Sequence, residues 1–159
     1  MTQDEETLKI ADDRSWMKEA LGEAQKAAEM GEVPIGAVVV CGGVVLGRGH
    51  NRREIDGDPV GHAEILAIRE AARTVGGWRL SGATMYVTLE PCPMCAGALV
   101  ASRIDRLVFG AVDPKAGYCG TLGNVVQDPR LNHRLEVVGE VLAEESSALL
   151  RGFFARLRR

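Results

Sequence analysis

A chain of 159 residues with 46% hydrophobic and 26% charged side chains is one domain in length and can bury a core of its own. Its longest apolar run, residues 35–41, falls far short of the roughly 18 residues of a membrane span, so no membrane association is expected. The net charge of −3 argues against a nucleic-acid partner only until it is divided along the chain. In residues 1–13, Asp4, Glu5, Glu6, Asp12 and Asp13 face Lys9 alone, which leaves the remainder slightly positive. The final stretch, 151–159, holds Arg151, Arg156, Arg158 and Arg159 without an acid, a cluster that fits either phosphate binding or the negative end of a helix dipole.

The acidic stretch 1–14 reads as a flexible leader, and 15–159 as a single domain. The leader lacks the basic and apolar regions of a secretion signal, and the cysteines are better used as metal thiolates than as disulfides, so a cytoplasmic location is expected. Ser15 caps a predicted helix whose apolar face is Met17, Ala20, Leu21, Ala24, Ala27 and Ala28, stopped by Gly31. Two β-branched runs, residues 35–41 and 44–50, flank Gly42-Gly43, a two-residue hairpin signal. Asp58-Pro59 predicts the cap and first turn of a second helix near His62, broken at Gly76-Gly77. Residues 84–89 read as a strand, 94–102 as a third helix and 106–110 as another strand. Strand, helix and strand in so short a space imply a right-handed parallel crossover. After a loop rich in Gly, Asp, Pro and Asn, residues 135–141 predict an edge strand and 143–158 a terminal helix. The fold class is α/β, a three-layer α/β/α sandwich with a mixed central sheet.

The chemistry is concentrated in His62-Ala63-Glu64 and Pro91-Cys92-Pro93-Met94-Cys95. One imidazole and two thiolates are three zinc ligands, and a site with three protein ligands leaves the fourth corner for water, whose pKa zinc lowers from 15.7 to about 7. Glu64, beside a ligand but not itself needed as one, is then a proton shuttle. Cys92 and Cys95 stand three apart at the opening of a helix, on one face, where the helix dipole favours thiolate. Two other readings use the same residues. A redox Cys-x-x-Cys pair leaves the His-x-Glu unexplained. A structural zinc site needs a fourth ligand from Cys41, Cys119, His50 or His133, none of which sits in a second knuckle-like pair, and it has no use for Glu64.

A His-x-Glu followed by Pro-Cys-x-x-Cys is the signature of zinc nucleobase deaminases. The chain resembles one family of them, the bacterial tRNA-specific adenosine deaminases of the cytidine deaminase-like fold. Beyond the zinc signature the likeness is carried by Glu32-Val33-Pro34-Ile35-Gly36-Ala37, by Gly49-His50-Asn51-Arg52, by residues 87–98 and above all by Phe109-Gly110-Ala111-Val112-Asp113-Pro114-Lys115-Ala116-Gly117, followed by Leu131-Asn132-His133-Arg134 and Phe153-Phe154. The resemblance implies one zinc ion per chain on His62, Cys92 and Cys95, with Glu64 as the catalytic acid/base and no organic cofactor. It implies that Asn51 and the backbone at Ala63 bind the flipped base, that Asp113 accepts a ribose hydroxyl and that Lys115 meets a phosphate. The implied substrate is the wobble adenosine in the anticodon stem-loop of a tRNA, an arginine tRNA in this family, and the implied assembly a homodimer. A free nucleobase or nucleoside deaminase and a non-catalytic, zinc-stabilised RNA-binding module are the alternatives. Gly61 departs from the pattern, standing before the histidine where a residue with a side chain is more usual.

Overall fold

Gly42 and Gly43 both adopt positive φ, 58° and 76°, which only a residue without Cβ does readily, and they close the tight hairpin between β1 (Gly36–Cys41) and β2 (Val44–His50). In this computed structural model, which describes residues 1–158, the other elements are α1 (Gln3–Glu29), α2 (Ala63–Val75), β3 (Thr84–Leu89), α3 (Pro93–Ala101), β4 (Arg106–Ala111), β5 (Glu136–Val138) and α4 (Ala143–Leu157). The strands form one mixed sheet in the order β2-β1-β3-β4-β5. β1 is antiparallel to both neighbours, while β3, β4 and β5 run parallel, as the crossover through α3 requires. Arg159 of the arginine-rich end lies outside the described residues.

Alternation along the strands divides the core in two. Ala37, Val39, Met85, Val87, Leu107 and Phe109 point to one face and pack with Ala63, Ala67 and Ala71 of α2 and with Ala96, Leu99 and Val100 of α3. Val38, Val40, Tyr86 and Val108 point to the other and meet Met17 and Ala20 of α1 together with Leu142. Small residues let the layers approach at backbone distance. A Cβ at Gly36 would collide with the Ala20 carbonyl and the Ala24 amide of α1, and one at Gly47 or Gly49 would collide with the backbone of α2 at Ala63, Ala67 and Ala71.

Two helix starts differ from the sequence expectation. α1 does not begin at Ser15: Thr2 and Glu5 form a capping box, and the helix runs from Gln3 through the acidic stretch. Asp13 explains why, since it is buried and forms a two-pronged ion pair with Arg106 of β4, 2.6 Å on each side, while accepting from the Tyr86 hydroxyl at 2.9 Å. Asp58 does not cap α2. Its carboxylate accepts from the Val60 amide at 3.0 Å within a separate turn, and the N-cap is His62 itself. A side chain at Gly61 would crowd Asp58 at 3.2–3.3 Å, which accounts for the glycine before the histidine. Of the expected strand 135–141, only Glu136–Val138 pairs, with Val141 joined to the Phe109 carbonyl beyond it.

Candidate active site

The carboxyl ends of β3 and β4, the usual place for a ligand in an open α/β sheet, face the N-termini of α2 and α3. His62 is the N-cap residue of α2 and Cys92 that of α3, with Pro93 in the first turn, and neither side chain caps its own helix. Both are therefore free to turn toward one another. The Nδ1 atom of His62 lies 3.6 Å from Cys92 Sγ and 3.5 Å from Cys95 Sγ, and the three donor atoms all fall within 4.8 Å of one another. Zinc bonds of about 2.3 Å to sulfur and 2.05 Å to nitrogen, at a tetrahedral angle, separate the two donors by roughly 3.6 Å. The donor set fits zinc in kind and in spacing.

No fourth protein ligand joins the cluster among the described residues. His50 Nδ1 is directed at the Asn51 carbonyl, and His133 Nε2 at the Ile104 carbonyl, 2.7 Å away. Cys41 lies beside Gly82, and Cys119 is buried with its sulfur 4.0 Å from the Pro91 carbonyl. The open corner belongs to a catalytic and not to a structural type of site.

Without a cation the three groups form one hydrogen-bonded set. A hydrogen bond from the Cys95 thiol, opposed by burial and helped by His62, brings Cys92 down to about 4. The same Cys92 thiolate, together with burial, holds Cys95 protonated, and the hydrogen bond to Cys92 raises His62 against its own desolvation. A dication held by His62, Cys92 and Cys95 would remove that competition and would let both sulfurs ionise. Glu64, in the first turn of α2, is 4% exposed, and burial pushes its carboxyl up to about 7, with nearby Cys92 adding to the effect. A carboxyl poised near neutrality can both accept and return a proton.

A cavity of about 160 Å³ opens beside the cluster, lined by His62, Ala63, Glu64 and Cys92, and on its other walls by Asn51, Asp113, Val33 and Leu89. Cys95 is fully buried behind it. The Asn51 side chain is held in place, with Nδ2 donating to the Val33 carbonyl at 3.4 Å and Oδ1 accepting from the Arg53 amide at 3.2 Å. Asp113 Oδ1 accepts from the amides of Lys115 and Ala116, at 3.0 and 3.3 Å, which shapes the turn after β4. Lys115 is exposed and lines an adjoining groove with Phe154 and Arg151 instead of the cavity itself. Asn51, His62, Ala63, Glu64, Cys92 and Asp113 thus share one cavity, whereas Lys115 lies outside it in the neighbouring groove.

Arg53, Ile35, Glu90 and Ala116 also line this cavity. Arg53 and Ile35 were not singled out from the sequence, although both lie in or beside segments that carried the resemblance. Glu90 is 2% exposed, and its carboxylate accepts four hydrogen bonds: from the amides of Asp113, Cys119 and Thr121 at 3.1, 3.0 and 3.1 Å, and from the Thr121 hydroxyl at 2.5 Å. Burial works to raise this carboxyl, but the Thr121 hydroxyl and the three amides outweigh it and hold it below the usual carboxylate range. Outside the cavity Glu32, 1% exposed, accepts from the Ile55 amide at 2.7 Å and ties down the loop after Asn51.

A three-ligand zinc-type cluster, a buried carboxyl near neutrality and a base-sized cavity define a hydrolytic deaminase site, and residues 11–158 match the model of the MafB19-like deaminases. The chain is 55% identical to a tRNA-specific adenosine deaminase of Bacillus subtilis, covering 94% of this chain and 93% of that protein, and 48% identical to one of Haemophilus influenzae, covering 92% and 85%. It superposes with a TM-score of 0.82 on a tRNA deaminase studied for A-to-I editing at the wobble position of transfer RNA, at 44% identity over 86% of this chain and 99% of that one. A guanine deaminase of Nitrosomonas europaea shares the fold, with a TM-score of 0.78 at 23% identity over 89% and 84%. The chain belongs to the tRNA-specific adenosine deaminase family.

Proposed function

We propose that this protein hydrolyses the wobble adenosine of a tRNA, an arginine tRNA by preference, to inosine and ammonia. The observation that carries the reading is the placement of Glu64, buried and protonatable, beside the His62, Cys92 and Cys95 cluster and on the wall of a cavity. Zinc held by those three residues, one ion per chain, supplies a Lewis acid that makes water a nucleophile near neutral pH. Glu64 takes a proton from the attacking water and delivers it to the ring nitrogen beside the amino-bearing carbon. It then carries the second proton to the departing amine, so that ammonia leaves and a carbonyl remains. Asn51 hydrogen-bonds the purine, and the backbone at Ala63 lines the same pocket. Asp113 has one carboxylate oxygen committed to its turn and directs the other to a ribose hydroxyl, while Lys115 meets a phosphate at the rim.

An anticodon loop suits such a pocket. Its bases are unpaired, so extruding one costs only a few kcal/mol, and single-stranded loops are the part of RNA that side chains read best. No helix among the described residues is long and apolar enough to cross a membrane, and a cytoplasmic location follows from the proposed substrate. A homodimer is part of the proposal: α3 carries no charged side chain from Pro93 to Ala101, and Met94, Gly97, Ala98 and Ala101 keep exposed or half-exposed surface that a symmetric copy would cover. Light scattering near twice 17.1 kDa would support it, and the monomer mass at micromolar concentration would refute it. The function is tested by incubating the zinc-loaded protein with synthetic anticodon stem-loops and measuring inosine by mass spectrometry. Deamination of free adenosine or guanine at an equal rate would favour the small-molecule reading instead.

A further inference from the structure

Glu90 stands immediately before Pro91-Cys92, yet both of its oxygens are taken up by the loop that follows β4. Oε1 accepts from the Asp113 amide and the Thr121 hydroxyl, and Oε2 from the amides of Cys119 and Thr121. One buried carboxylate therefore holds both ends of the loop that leaves β4, and this loop supplies Asp113 and Ala116 to the cavity. The fit is close. Gly117 crosses directly over the carboxylate, and a Cβ there would collide with Glu90 Oε1 and with the Asp113 carbonyl. The loop backbone also bonds itself to the cysteine segment, with the Tyr118 amide donating to the Pro91 carbonyl at 2.9 Å.

We infer that Glu90 is a positioning residue for the substrate, fixing the Asp113–Thr121 loop as a preformed wall of the cavity so that RNA does not have to order it on binding. The inference rests on the proposed RNA substrate for its kinetic consequence but not for the clamp itself. Four donors converging on one anion are worth more than the same donors facing water, because charge-assisted hydrogen bonds are the strong ones. A chain whose loop is competent only a fraction of the time binds its ligand more weakly by that fraction.

Glu90→Gln keeps the shape and removes the charge. Its amide nitrogen, placed at the Oε1 position, can donate to the Thr121 hydroxyl but leaves the Asp113 amide without an acceptor. The loop then opens more often, and KM for the anticodon stem-loop should rise about ten- to hundredfold, the equivalent of one lost charge-assisted bond. The rate at saturating RNA should stay within about twofold, because bound substrate restores the wall. Zinc content should remain that of the unaltered protein. Hydrogen exchange at the amides of Asp113, Cys119 and Thr121 should quicken while the β3 and β4 amides stay protected. Thr121→Val, which removes a single donor and keeps the charge, should show the same pattern at smaller size and serves if Glu90→Gln does not fold. Unaltered exchange at the three amides would overturn the clamp. Quickened exchange with unchanged KM, or activity falling in proportion to zinc, would overturn the positioning role. Quickened exchange in a protein whose unaltered form makes no inosine would uphold the clamp and refute the proposed function instead.

Discussion

Replacing Asp13 by Ala tests how firmly the acidic first helix belongs to the domain. The Asp13 side chain is 7% exposed and that of Arg106 13%, and the two share a pair of 2.6 Å hydrogen bonds. Removing one partner of a buried ion pair costs about 3–5 kcal/mol, because the other charge is left without compensation. Tyr86 loses its acceptor as well. Glu136 softens the loss, its carboxylate lying 3.3 Å from Arg106 Nε, but it is 56% exposed and so placed that Nε makes no hydrogen bond to it. The low end, about 3 kcal/mol, is therefore expected. In a domain of this size each kcal/mol moves Tm by roughly 2–4 °C, which gives a fall of about 6–12 °C by calorimetry or circular dichroism. Arg106→Met added to Asp13→Ala should recover part of that loss, since the orphaned guanidinium is then gone. A Tm within about 2 °C of the unaltered protein, or strict additivity of the two changes, would show that the pair is not coupled and that the helix before Ser15 contributes little.

Cys95→Ser should bring zinc content, measured by elemental analysis, well below one per chain; full occupancy would refute the three-ligand centre. Glu64→Ala should abolish inosine formation while zinc content and stem-loop affinity persist, and turnover at the unaltered rate would refute its role as proton carrier. Lys115→Ala should weaken RNA binding and reduce the slope of log affinity against log salt by about 0.7, the share of one single-strand phosphate contact, with little change at saturating RNA. Gly49→Ala should lower both Tm and zinc retention against a chelator, because its Cβ would collide with the Ala63 carbonyl and the Ala67 amide. The control is Gly22→Ala on the open face of α1, where nothing lies within 4 Å and a gain of up to about 1 kcal/mol is expected.

Most of the fold is legible in the chain because its signals are local. β-Branched runs on either side of Gly42-Gly43 identify the hairpin, and Gly76, at φ 74°, stops α2 where the glycine pair predicts. The start of α1 is hidden for the opposite reason. Leu8 and Ile10 of the acidic stretch remain exposed, so no apolar stripe announces a helix, and the buried anchor Asp13 makes sense only beside Arg106 in β4. Asp58-Pro59 has the composition of a helix cap but closes a turn of its own. The His62, Cys92 and Cys95 cluster is legible from spacing, since His62 and the cysteine pair are each local motifs. The loop clamp is not, because nothing near Glu90 in the chain identifies Asp113, Cys119 and Thr121 as its partners.

The helix starts also explain where the cluster forms. An ordinary N-cap is a serine, threonine or aspartate whose oxygen turns back to bond a first-turn amide. At α2 and α3 the cap positions are instead held by His62 and Cys92, whose side chains carry no such oxygen. Both helix starts lack the oxygen cap that usually stabilises them, and Pro93 lessens the cost by having no amide to satisfy. In return the ligand side chains are released toward each other, and the positive ends of both helix dipoles converge where thiolates and the developing negative charge of a hydrolysis must be held. Gly47 and Gly49 fix α2 against β2 from behind at backbone distance, so the start of α2 is held in place. The glycines of the hairpin and the ligands of the cluster are thus parts of one arrangement, which is why a single methyl group at Gly49, several residues from any ligand in sequence, is expected to be felt at the metal.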